Sequence, residues 1–228
     1  MYSESNLQEP IIENVKENLL TKTFFWMFLG LLGTAIIAWY TYSTGLFYNI
    51  IINDYFSILL IVEVAVVLLF SFLFKKLPAT IVGILYFVYA AVNGVTLSVI
   101  FAVFELNSII VLFVASALLF GGLALYGYKT SKDLSNWHTL LFGTLFAGVV
   151  VSLINLFLKN SMLDIILDWV ILFTFFGVTA YDMNKIKQLS LSPDLDENKA
   201  HIYCAMDLYL DFINIFLRIL SIFGKRRR

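Results

Sequence analysis

The chain of 228 residues is 61% hydrophobic and 14% charged, against roughly 45–50% apolar and 25% charged in a soluble domain. Its apolar residues fall in long blocks divided by short polar joints, which excludes a soluble domain with one anchor and reads as a single all-α bundle in a membrane. The formal net charge of −1 gives no electrostatic reason to expect nucleic acid as a partner, and the single cysteine, Cys204, cannot form an internal disulfide.

Residues 1–22 are polar, with Glu4, Glu9, Glu13 and Glu17, and lack the basic start and small-residue cleavage site of a signal peptide. They read as a cytoplasmic tail before a transmembrane domain over 23–223, and residues 224–228 form a basic C-terminal tail. Within the domain, spans are expected at Thr23–Thr44, Tyr55–Phe74, Ala79–Phe104, Ser108–Tyr128, Trp137–Leu158, Met162–Asp182 and Ile202–Phe223. Each approaches the roughly 20 residues that cross about 30 Å of hydrocarbon. Helices are expected because backbone groups in lipid must pair within their own segment, and no period-two alternation suggests a barrel.

Lys16, Lys22, Lys75, Lys76, Lys129, Lys132, Lys185, Lys187 and Lys199 lie at joints on the N-terminal side, against Lys159 alone on the other. The positive-inside rule therefore makes the N-terminus cytoplasmic. Seven full spans would carry Lys225-Arg226-Arg227-Arg228 to the far side, so either the last segment is short or re-entrant, or the tail overrides the rule; seven helices are the preferred count. Gly30, Gly33, Gly83, Ala90, Ala91, Gly94, Gly121, Gly122, Gly143, Ala147 and Gly148 supply small surfaces for close helix packing. Trp26, Trp39, Trp137 and Trp169 fall near span ends, at headgroup level.

Four carboxylates fall in or near the hydrocarbon: Glu63, Asp182, Asp207 and Asp211. An ionised group at that depth costs several kcal/mol unless it is paired, hydrated or protonated, so each is a functional candidate. In the last span Asp207, Asp211, Asn214 and Arg218 recur at spacings of four, three and four, which puts them on one helical face, turned from lipid towards the bundle interior or a watery path. Asp182 ends the sixth span, and the joint after it lets the two helices return antiparallel. Two carboxylates brought within hydrogen-bond distance share a proton and can titrate near neutral pH; the partner of Asp182 is Asp207 or Asp211 on this reasoning. Glu63 is a packing acid or lines a cation path.

No nucleotide-binding loop, paired-cysteine metal site or glycine-flanked nucleophilic serine is present, so neither enzyme chemistry nor a cofactor is expected. The acidic joint Ser192-Pro193-Asp194-Leu195-Asp196-Glu197 lacks the glycine and spacing of a helix-loop-helix calcium site and reads as a solvated loop.

Four stretches carry a family resemblance: Tyr89-Ala90-Ala91-Val92-Asn93-Gly94-Val95-Thr96-Leu97-Ser98; Leu123-Ala124-Leu125-Tyr126-Gly127-Tyr128-Lys129-Thr130 with Asp133-Leu134-Ser135; Thr179-Ala180-Tyr181-Asp182 with Lys185-Ile186-Lys187; and Leu208-Tyr209-Leu210-Asp211-Phe212-Ile213-Asn214. In this order they resemble the Bax inhibitor-1 (transmembrane Bax inhibitor motif) family. The resemblance implies seven helices around a central seventh and a pH-sensitive passive calcium leak, with calcium as permeant ion. It also implies an aspartate pair as sensor and gate, which by motif is Asp182 and Asp211; Asp207 then joins Asp211 in transient contact with calcium. A family basic latch at the end of the second span would fall to Lys75 or Lys76, point charges without an arginine's fork.

Two rivals stand beside the leak. An intramembrane aspartyl protease would share the Tyr181-Asp182 half, but Leu208-Tyr209-Leu210-Asp211 replaces its Gly-x-Gly-Asp and the later Pro-Ala-Leu is missing. A non-conducting scaffold would bind other membrane proteins, such as membrane proteases or cell-death regulators. The short polar start and lack of appended domains favour a bacterial plasma membrane, with the endoplasmic reticulum as the alternative.

Overall fold

The computed structural model describes residues 5–53, 55–74, 76–190 and 197–227, and their side chains from residue 18 onward except at 56, 57, 197 and 198. The described residues form nine helices and no strand: α1 (Ser5–Ser43), α2 (Leu46–Ile52), α3 (Tyr55–Leu73), α4 (Ala79–Leu97), α5 (Ile100–Val103), α6 (Leu106–Lys129), α7 (Trp137–Leu158), α8 (Ser161–Leu189) and α9 (Glu197–Phe223). Five stretches are long and apolar enough to cross a membrane: Asn18–Ser43, Ala79–Val103, Leu106–Lys129, Trp137–Leu158 and Ser161–Leu189.

Among the described residues, five of the seven expected spans meet this measure of length and apolarity. The second survives as a shorter apolar helix, Ile58–Leu73. The last fails because its polar positions dilute its apolarity, although α9 runs unbroken for 27 residues. The sixth continues past Asp182 to Leu189, so that aspartate stands inside a helix rather than at its end.

Outward-facing side chains explain the composition. Phe72, Leu118, Leu140, Phe146 and Phe157 are each more than 70% exposed, and a surface this apolar is stable only against hydrocarbon. The chain divides into two compact units. The first holds α1 to α5, the part of α9 up to Tyr209, and Arg227; the second holds Glu105–Leu189 and Leu210–Arg226.

In the first unit α1 packs along α4 and α3 lies against α4. A Cβ on Gly94 would stand 2.8 Å from the Thr34 carbonyl oxygen, so only glycine allows α1 and α4 this separation. The Lys199 ammonium, near the start of α9, donates to the Leu77 carbonyl at 3.4 Å. Beyond the other end of α9, the Arg227 amide donates to Val103 at 2.9 Å.

In the second unit α6 and α7 each pack on α8. Of the small residues expected to pack, Gly30, Gly83, Gly94 and Gly148 do meet neighbours, whereas Gly33, Gly121, Gly122 and Gly143 face nothing within 4 Å. The closest approach of α6 to α8 uses a glycine outside that set: a Cβ on Gly127 would overlap the backbone carbonyl of Ala180.

Candidate functional site: buried polar groups of α8 and α9

α9 differs from the other helices in being buried almost all round. Ala205, Leu208, Tyr209 and Ile215 are fully enclosed, so its apolar positions face protein as well as its polar ones. That departs from an amphipathic helix with one face on lipid, and it explains how a helix this polar is tolerated.

Asp182 on α8 is 6% exposed and Asp211 on α9 is 2% exposed, both within the second unit. Two residues before Asp182, Ala180 is the point where Gly127 admits α6. Two residues after it, Asn184 ties the joint between α6 and α7 to α8. Its Oδ1 accepts from the Leu134 amide at 3.2 Å and its Nδ2 donates to the Gly127 carbonyl at 3.2 Å. The Lys187 ammonium donates to the Thr130 carbonyl at 2.9 Å. This stretch of α8 is therefore fixed by backbone contacts on either side of the aspartate.

Farther along the same helices an ion pair appears that the sequence reading missed. Arg218 Nη1 lies 2.5 Å from Asp168 Oδ1, and the Ser221 hydroxyl donates to Asp168 Oδ2 at 2.6 Å. Asp168 lay within the expected sixth span, and an arginine in the last span needs a counter-charge at membrane depth; that need was the available signal. Arg218 is thus committed to α8. Asn214 Nδ2 donates at 2.8 Å to the Leu210 carbonyl of its own helix.

The remaining candidates lie in the first unit. Asp207 is half-buried on α9, and Glu63 is half-buried on α3 with Thr96 of α4 as a hydrogen-bond partner. Nearby, the Thr34 hydroxyl donates to the Ala90 carbonyl at 2.9 Å and accepts from the Tyr209 hydroxyl at 2.7 Å, so one threonine closes a chain across α1, α4 and α9. Lys76 is exposed in the joint before α4. Lys75 and the acidic joint at 192–196 lie outside the described residues. Among the described residues no three His, Cys, Asp or Glu side chains group as a metal site.

Outside the membrane, Asp133 accepts at 2.9 Å from the Ser135 amide and at 3.1 Å from Gln188 Nε2. Hydrogen bonds from Ser135, then from Gln188, hold its carboxyl below the usual carboxylate range.

A helical chain with these apolar exteriors and enclosed carboxylates is an integral membrane protein. Residues 16–228 match the family described as "Inhibitor of apoptosis-promoting Bax1", and the chain belongs to this Bax inhibitor-1 family. Among its relatives, the inner membrane protein YbhL of Escherichia coli K12 is 38% identical over 217 residues, covering 92% of this chain and 93% of YbhL. An uncharacterized protein of Borreliella burgdorferi is 32% identical over 218 residues, covering 93% of this chain and 94% of its own. An uncharacterized membrane protein of Streptococcus pyogenes is 34% identical over 153 residues, covering 66% of each chain.

Proposed function

We propose that the protein is a passive, pH-sensitive calcium leak rather than an enzyme, with Asp182 and Asp211 as its sensor and gate. The observation that carries this reading is the enclosure of both carboxylates, on successive long helices, within one compact unit. Acids removed from water are costly to ionise singly, and a shared proton lets their charge follow pH. A change in proton count then shifts the balance of open and closed helix arrangements. Calcium, a hard cation, prefers carboxylate oxygens such as those of Asp211, Asp207 and Glu63, and no cofactor is required.

α9 counts as a crossing in this reading because it runs unbroken for 27 residues; with α3 the bundle then has seven spans. Charge placement orients the N-terminus to the cytoplasm, and the likeness to an inner membrane protein favours a bacterial plasma membrane. Lys76 remains the described candidate for the basic latch.

The test is calcium efflux from loaded vesicles containing wild type, Asp182→Asn or Asp211→Asn across pH 5–8 (a window of the usual titration range of such pairs, roughly). The expected result is efflux whose pH dependence is lost in either variant. An unchanged pH profile overturns the gate, and wild-type vesicles that retain calcium at every pH would instead identify a non-conducting scaffold.

A further inference from the structure

A cavity of about 640 Å³ opens along the first unit between α1, α4 and the start of α9. Its walls are apolar: Gly83, Phe87, Val88 and Ala91 of α4 face Trp26 of α1, and His201 and Ile202 come from α9. Gly83 creates part of the space, since a Cβ there would stand 3.2 Å from the Trp26 ring. The indole is held in place between Phe87, at 5.4 Å, and His201, at 5.8 Å.

One end of this groove lies at a helix terminus near two lysines in the chain. It reaches Ala79 and Thr80, the first residues of α4. Pro78 precedes that helix with no side-chain capping hydrogen bond, and the positive end of the helix dipole lies there, where an anion is favoured. Lys76 precedes this terminus and Lys22 stands one turn before Trp26; both side chains are exposed. The apolar trough and the positive rim together match an amphiphile with a negative head and a hydrocarbon tail.

We propose that this groove is a binding site for one anionic phospholipid. An acyl chain lies between Trp26 and the Gly83–Ala91 face of α4, and the phosphate sits at the α4 N-terminus between Lys22 and Lys76. Because His201 and Ile202 form one wall, the bound chain touches the helix that carries Asp207 and Asp211. The proposal does not depend on calcium flow.

The chain has four tryptophans, so replacing Trp39, Trp137 and Trp169 with phenylalanine leaves Trp26 as the only indole. In phosphatidylcholine vesicles doped with brominated-chain phosphatidylglycerol or brominated-chain phosphatidylcholine at equal mole fraction, Trp26 quenching reports groove occupancy. The expected result is a preference for the anionic lipid on the order of tenfold in apparent affinity, about one Lys contribution or more at a membrane surface. The Lys22→Gln/Lys76→Gln variant should lose that preference, and a variant with Trp169 as its only indole should show none. Equal quenching by the two lipids, or a preference that survives loss of both lysines, overturns the site.

Discussion

Asp168 and Asp182 stand on the same helix and within the same compact unit, yet they meet different surroundings. Asp168 faces a guanidinium and a hydroxyl, and its side chain keeps 15% of its exposure. Asp182 is more deeply enclosed, and the unit that encloses it also buries a second acid, Asp211. An acid held by a guanidinium and a hydroxyl acts as a fixed strut. Under the proposed function, the two enclosed acids are the level whose charge follows pH. α8 therefore carries a structural carboxylate and a proposed responsive one.

The responsive level depends on close backbone packing, and Gly127→Leu attacks it most directly. A side chain there meets the Ala180 backbone, which cannot rotate away. We expect the loss of about 3 kcal/mol or more through overpacking, read as failure to elute as a monodisperse peak after detergent extraction. Asn184→Ala leaves the buried Leu134 amide without its acceptor and should cost about 2–3 kcal/mol, seen as a lower midpoint in thermal unfolding.

At the structural level, Arg218→Ala should cost about 2 kcal/mol by leaving the Asp168 carboxylate without its cation. Adding Asp168→Asn should restore most of that loss, and a double variant no more stable than the single would show that the pair is not a strut.

The smallest effect belongs to the exposed end of the unit. The Asp133 carboxyl is held below its ordinary range by Ser135 and Gln188, so its ionised form favours the fold. That contribution is full above the ordinary carboxylate range and disappears as pH falls through the lowered folded value. Asp133→Asn should therefore narrow slightly the gap between unfolding midpoints measured at neutral and at acid pH.

Much of this architecture was legible from apolar block length. The expected Trp137–Leu158 span coincides with α7, and Ala79–Phe104 ends within one residue of the observed stretch. Apolarity is the weak guide at α9, because a helix buried on nearly every face need not be apolar enough for lipid. The polar stripe of α9 ends at Arg218, and its spacing does not say which carboxylate on another helix answers that charge; the fold brings Asp168 to it. The glycines showed the opposite failure: Gly121 and Gly122 resemble packing residues in sequence, but a Cβ on either would meet open space, and Gly127 is set apart only by the Ala180 carbonyl beside it.

α9 is tethered near its start by Lys199 on the Leu77 carbonyl, and beyond its end by the Arg227 amide on Val103. A rod fastened at both extremities resists piston-like travel, because sliding in either direction must break a fastening. Twisting about its axis and bowing at mid-length break neither, and Asp207, Asp211 and Asn214 all occupy that middle stretch. Spin labels at the start of α9 should accordingly keep their separation from α4 across pH, while labels near Asn214 change theirs from α8.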